Sequence, residues 1–311
     1  MDAREGRGHQ RRRIVMGFAA AIAAGMSSVS AGPVTSTRMA ARKVPSSGEG
    51  LPVIGLGTWA AFVVAGTGAE FEQASAAVAR FAALGGRVVD TSPMYGRAEA
   101  ALGAIRAKLD PSDTALFLAT KIWTRGKREG ERQLADSLAK LGAKRLDLVQ
   151  VHNLVDVETQ LATLRAARER GEVRYVGITH YTASAHAELG RVMERERPDF
   201  VQVNYSLAEP EAGARLLDQA RERGVAVLVN RPFAEGAMFG QVRGRELPSV
   251  AAELGCTSAA QLFLKWILAH PAVTCVLCGT RDPAHVSDNL AAGAGALPDA
   301  AQRRAIEDWF R

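Results

Sequence analysis

The chain has 311 residues, a net charge of +6 and a hydrophobic content of 47%, enough apolar material to fill one large folded domain. Five arginines against Asp2 and Glu5 give residues 1–31 a net charge of +3, so the rest of the chain also carries only +3. That remainder holds no Lys/Arg block interleaved with aromatics, which argues against nucleic acid as a partner. The three cysteines make no even disulfide framework.

Taken in chain order, Arg11, Arg12 and Arg13 precede Ile14 to Met26, an uncharged apolar run. A membrane-spanning helix needs roughly 20 residues, so this shorter run implies no stable membrane insertion. A basic front, a short apolar centre and the small residues Val29-Ser30-Ala31 are the layout of an export signal. Arg11-Arg12 followed by Ile14-Val15 resembles a twin-arginine signal. Residues 1–31 are therefore expected to direct export to the periplasm, with residues 32–43 as a short linker. The alternative is a disordered basic tail on a cytoplasmic protein.

Residues 44–311 read as a single domain. A hairpin over Lys43 to Pro52 is suggested by the turn-rich Ser46-Ser47-Gly48-Glu49-Gly50. Eight apolar runs come next as candidate strands: Val53–Leu56, Val88–Val89, Leu116–Ala119, Leu146–Val151, Arg174–Ile178, Phe200–Val203, Val225–Val229 and Val273–Leu277. Most gaps between them carry helical spacing. Phe71, Ala74, Val78 and Phe81 precede Gly85-Gly86. Leu134, Leu138 and Leu141 precede Gly142, and Leu161, Leu164 and Arg168 precede Gly171. Leu262, Trp266 and Leu268 form another such segment, and Ala301 to Phe310 a last one. Strands alternating with helices imply a parallel sheet, and eight units imply a closed (β/α)8 TIM barrel.

An open doubly wound sheet would want a glycine-rich dinucleotide loop. Gly55-Leu56-Gly57-Thr58-Trp59-Ala60 matches its permissive form, but Gly66-Thr67-Gly68 interrupts the helix that should come after it. Cys275-Val276-Leu277-Cys278 has the spacing of a redox or metal motif. It lies in a strand-like run, where residues three apart face opposite sides, and no second pair completes a zinc site. Two buried cysteines and no metal are expected.

The residues just after the apolar runs carry the functional information. The runs lead into Asp90 with Tyr95, Lys121, His152-Asn153, Thr179-His180, Asn230-Arg231 and Gly279-Thr280-Arg281, and the sixth contains Gln202. In a parallel barrel these ends converge on one rim, where such enzymes place their active sites. A buried Lys121 needs a partner, which Asp90 can supply. An ammonium beside Tyr95 is expected to lower the phenol's pKa and make it a proton donor near neutral pH. With His152 to orient a carbonyl, the set suits proton delivery to a carbonyl oxygen. Trp59, Phe62, Met94, Trp123 and Tyr181 are the candidate lining of an apolar substrate pocket.

At this point the chain resembles the aldo-keto reductase family. The resemblance is carried by Leu51–Trp59 (LPVIGLGTW), Asp90–Gly96 (DTSPMYG), Leu146–His152 (LDLVQVH) and Val173–Gly177 (VRYVG). Gln202–Tyr205 (QVNY), Cys278–Arg281 (CGTR) and Asp288-Asn289 complete it. It runs in order from about residue 44 to the C terminus. The resemblance implies a catalytic tetrad of Asp90, Tyr95, Lys121 and His152, with hydride supplied by NADPH and Tyr95 as general acid. It implies that Gly57, Thr58 and Trp59 lie near cofactor and pocket, and that Thr179, His180 and Gln202 hold the nicotinamide amide. It places Asn230, Arg231, Pro232 and Phe233 beside the cofactor, Gly279, Thr280 and Arg281 at the 2′-phosphate, and Asn289 at the adenine. Two departures stand out: His180 replaces the usual Asn, and Asn230-Arg231-Pro232-Phe233 replaces Tyr-Ser-Pro-Leu, so no ring stacks on nicotinamide from position 230. The expectation is a monomeric NADPH-dependent carbonyl reductase with an open pocket and a small-molecule substrate. The alternative is an NADPH-binding sensor on the same fold with little turnover.

Overall fold

The structure is a computed structural model that describes residues 39–109 and 115–311. The expected export signal lies outside the described residues. A short antiparallel hairpin comes first, β1 (Ala41–Lys43) with β2 (Gly50–Pro52). The linker expected to reach residue 43 thus ends earlier, because Ala41 to Lys43 pair with Gly50 to Pro52.

Eight parallel strands close into a barrel: β3 (Ile54–Gly57), β4 (Val88–Asp90), β5 (Phe117–Ile122), β6 (Leu146–His152), β7 (Val173–Thr179), β8 (Phe200–Asn204), β9 (Ala226–Asn230) and β10 (Val273–Gly279). They neighbour one another in sequence order, and β10 returns to pair with β3. Each of the eight apolar runs became one strand. The reason is burial on both faces, which leaves a strand no polar side to show.

Helices cover the outside. α1 (Ala69–Ala83) buries Phe71, Ala74, Val78 and Phe81 on the face that their spacing demanded. α2 (Ala98–Arg106) is short and begins just after Tyr95. α3 (Lys127–Leu141) ends at Gly142, whose φ of 60° is the left-handed conformation that glycine adopts without a Cβ penalty. Further around the barrel lie α4 (Val157–Glu169), α5 (His186–Glu196), α6 (Leu216–Glu222), α7 (Ala237–Gln241), α8 (Ser249–Glu253) and α9 (Ala259–Leu268). α10 (Pro283–Ala291) and α11 (Ala300–Phe310) finish the chain. Asp299 starts α11 with a reciprocal capping box to Gln302.

Two cores result. One lies between helices and barrel, and the other fills the barrel axis with Val88, Phe117, Ala119, Leu148, Tyr175, Phe200, Ala226, Leu228, Cys275 and Leu277. Val44 and Leu51 of the hairpin segment join the axial core, fully buried, and so plug the end where the strands begin. Cys275 belongs to the axial core and Cys278 to the outer one, as strand alternation requires. Burial raises the pKa of both thiols.

Candidate active site

Strand alternation positions the site. Two residues beyond the axial residues Val88, Ala119, Leu148, Phe200 and Leu228 come Asp90, Lys121, Gln150, Gln202 and Asn230. A polar layer therefore sits directly on the apolar axis, at the end where the strands finish. Gly177 makes room for it: a Cβ there would come within 3.0 Å of both the Gln150 Cγ and the Phe200 carbonyl oxygen.

Lys121 is 1% exposed and donates from Nζ to Asp90 Oδ2 at 2.6 Å and to the Thr91 carbonyl at 2.8 Å. Asp90 Oδ1 accepts from Gln150 Nε2 at 3.1 Å and from Gln202 Nε2 at 3.0 Å. Gln202 Oε1 in turn accepts from Thr179 Oγ1 and Asn230 Nδ2, each at 3.3 Å. Burial is the largest influence on Lys121 and disfavours its charge. The Asp90 carboxylate and the Tyr95 hydroxyl outweigh it together and hold the lysine pKa above the ordinary value.

Tyr95 stands over this layer, with Lys121 Nζ 4.9 Å from its ring centroid. Burial raises the phenol pKa, the ammonium pulls it back, Asp90 adds to the rise, and the net direction is upward. This corrects the expectation that the ammonium would bring the phenol below its usual value: desolvation wins. The phenol is accordingly protonated at neutral pH, the state a proton donor needs. The ammonium still lowers the cost of forming a phenolate here.

His152 meets Tyr95 edge to face, with ring centroids 6.2 Å apart. Burial first, then the Lys121 ammonium and His180, lower its pKa to about 3. It is a neutral imidazole at ordinary pH. Ser92 Oγ reaches its Nδ1 at 3.5 Å and accepts the Met94 N–H at 3.2 Å, while the Ser92 carbonyl accepts the Tyr95 N–H at 3.0 Å. Ser92 and Gln150 were not among the sequence candidates. Gln150 had a signal, a lone amide in an apolar run two residues before His152; Ser92 had none.

The remaining candidates take up varied positions. Thr58 is fully buried and donates to the Asp90 carbonyl at 3.1 Å. Gly57 pairs with Gly279 across β3 and β10. Gln202 is 2% exposed, and its amide is spent on Asp90, Gln150, Thr179 and Asn230. His180 Nδ1 accepts from the Tyr181 N–H at 3.0 Å and the Thr182 N–H at 3.3 Å, which leaves its proton on Nε2. Burial, then His186, lower its pKa. Asn230 Nδ2 also donates to the His180 carbonyl, and its buried Oδ1 has no partner. Arg231 is held by Glu209 in a two-bond fork, at 2.9 and 3.2 Å, and by Glu235. Pro232 and Phe233 continue that loop, where Phe233 packs on Phe239. Thr280 accepts the Asp282 N–H, and Asn289 is buried in α10. Arg281 pairs with Glu70 at 2.6 Å and with Gln73 at 3.2 Å.

Trp59, Met94, Trp123 and Tyr181 are exposed, on the loops that leave β3, β4, β5 and β7. Phe62 is not with them. It is fully buried in the outer core, below a turn in which Ala60 adopts a φ of 58°. Among the described residues, no group of three or more His, Cys, Asp or Glu side chains could hold a metal ion. Among the same residues, no helix is long and apolar enough to cross a membrane.

Comparison with known proteins agrees with this geometry. The sequence profile of the Aldo/keto reductase family matches residues 53–307. The chain is 28% identical over 233 residues to a pyridoxine 4-dehydrogenase of Escherichia coli (strain K12), covering 68% of this chain and 77% of that one. It is 29% identical over 259 residues to an aldo-keto reductase of Mycobacterium avium (strain 104), covering 80% and 86%. In structure it is similar to an aldo/keto reductase from Klebsiella pneumoniae in complex with NADP and acetate. That likeness has a TM-score of 0.73 and 24% identity, and covers 88% of this chain and 95% of the other.

Proposed function

The chain belongs to the aldo/keto reductase family, and we propose that it reduces an aldehyde or ketone to the alcohol with NADPH, Tyr95 acting as general acid. The observation that carries this reading is the buried Lys121–Asp90 pair with the Lys121 ammonium 4.9 Å from the Tyr95 ring. A phenol beside a buried ammonium gives up its proton at less cost than one in an apolar wall.

The residues present fit the cofactor. The buried Asn230 Oδ1 has no partner, and His180 keeps an N–H on Nε2, an acceptor and a donor of the kind a carboxamide needs. Thr179 lies beside them. Arg281 offers a planar fork suited to a phosphate, at present turned to Glu70. Bound there, NADPH supplies the hydride. Structures of similar family members hold NADP or NADPH.

The chain's own residues do the rest. His152, neutral, donates a hydrogen bond to the substrate carbonyl and orients it. Tyr95 hands its hydroxyl proton to the carbonyl oxygen as that oxygen becomes an alcohol. Lys121 stabilises the phenolate, and Asp90 keeps the ammonium charged and in place. Gln150 and Gln202 hold the Asp90 carboxylate from the opposite side. The exposed Trp59, Met94, Trp123 and Tyr181 offer apolar surface to the remainder of a substrate.

Replacing Tyr95 by Phe tests the reading. Turnover of a reactive aldehyde should fall about 10²- to 10⁴-fold, while NADPH binding, measured by fluorescence quenching, stays near wild type. A variant with near-normal turnover would remove Tyr95 from this role. Tight NADPH binding by the wild type with no turnover across a panel of aldehydes and ketones would favour the sensor alternative.

A further inference from the structure

We propose that Glu99 is a positioning residue for Tyr95: its buried carboxylate pins the turn that carries Tyr95 to the strand that carries Lys121. The inference rests on the reading of Tyr95 as proton donor. α2 starts three residues after Tyr95, and the Ala98 N–H donates to the Tyr95 carbonyl at 3.1 Å. Tyr95 therefore moves with the first turn of that helix.

The inner face of α2 is otherwise aliphatic, with Ala98, Ala101, Leu102 and Ile105 all buried. Glu99 lies among them at 2% exposure, with no cation paired to it among the described residues. Burying a carboxylate is costly where an alanine would serve helix and core alike. Its Oε1 accepts from Thr120 Oγ1 at 2.7 Å, and its Oε2 has no partner.

The position of Thr120 gives this bond its meaning. Thr120 and Lys121 are consecutive in β5, so the threonine faces outward to α2 while the lysine faces into the barrel. One hydrogen bond thus joins the residue four after Tyr95 to the residue just before Lys121. Arg106 ties the far end of α2 to the Leu141 carbonyl, whereas the apolar contacts around its first turn are non-directional and leave that turn free to shift slightly. A single short bond to β5 removes that freedom and sets the distance between ring and ammonium.

3-Fluorotyrosine placed at position 95 of the full chain makes this testable, because its ¹⁹F signal reports phenol titration without any turnover. Glu99→Ala and the nearly isosteric Thr120→Val should each raise the phenol pKa by at least about half a unit, as the ring drifts from the ammonium. Turnover should fall about tenfold in both, with NADPH affinity unchanged. Glu99→Gln keeps an acceptor for Thr120 and should restore the wild-type titration. The double variant should be no worse than the worse single one, since both break one bond. Lower melting temperatures with unchanged ¹⁹F titration and turnover would overturn the proposal and leave Glu99 a purely structural group. Should the protein prove to reduce no carbonyl, the ¹⁹F titration still decides the positioning role, and only the functional reading fails.

Discussion

The two ends of the barrel are built on opposite principles. At the end where strands begin, the hairpin seals the axis with Val44 and Leu51, and Glu49 ties it down. Glu49 accepts from Arg174 at 2.6 Å, Tyr175 at 2.8 Å and Arg87 at 3.5 Å. At the end where strands finish, a buried ion pair lies under exposed aromatics, and Thr91 Oγ1, Asn153 Oδ1 and Asn230 Oδ1 are buried without partners. Backbone conformation divides in the same way. Among the described residues, seven of the eight non-glycine positions with positive φ lie on loops leaving this rim: Ala60, Asn153, Leu154, Asp156, Arg231, Ala234 and Glu235. Such residues each cost of order 1–3 kcal/mol. One end gathers stability, and the other holds polar groups and strained turns that stability alone would not select.

That contrast can be broken or sharpened by experiment. His152 should give the largest effect. Its folded pKa of about 3 lies below the ordinary imidazole value of 6.5. Below pH 6.5 the unfolded chain takes up a proton that the folded chain refuses. Stability is therefore complete above pH 6.5 and drains as pH falls toward 3, by up to about 1.4 kcal/mol per pH unit. Denaturant titrations from about pH 7 to about pH 4 should show wild type losing up to about 3 kcal/mol more than His152→Asn. Parallel curves would mean that the rim pays no such penalty at this residue.

Arg281 comes next. Its replacement by Ala removes a charge-assisted bond worth roughly 1.5–3 kcal/mol, so NADPH affinity should fall about 10- to 100-fold. NADH affinity and melting temperature should barely move. Equal weakening of both cofactors would rule out 2′-phosphate recognition. Glu49→Ala probes the opposite end and should have the smallest effect. Its pairs are partly exposed, so a loss of about 1 kcal/mol is expected, or a melting temperature lower by about 2–4 °C. Turnover per folded molecule should stay at the wild-type value. A change in turnover larger than the change in stability would show that the two ends are coupled.

The eight strands and the parallel barrel were legible in the sequence alone, as was the placing of Asp90, Lys121 and His152 at or near strand ends. A strand buried on both faces must be an apolar run, and a polar residue at the end of nearly every such run points to the one rim where they meet. Helix α2 was harder to see, because Ala98 to Arg106 is only nine residues long and rich in alanine. Tertiary structure alone decided how the polar groups behave. The direction of the Tyr95 shift depends on burial set against the distance to Lys121. Gln202 turned out to hold Asp90, because strand register placed its amide there. Phe62, three residues from Trp59, turned into the core. Arg281 found Glu70 from the far end of the chain, and Glu99 found Thr120 on a neighbouring strand. Local sequence sets the period of a chain and the side to which each residue points. The energy of a polar group depends on what surrounds it within a few ångströms, and those neighbours are assembled only by the fold.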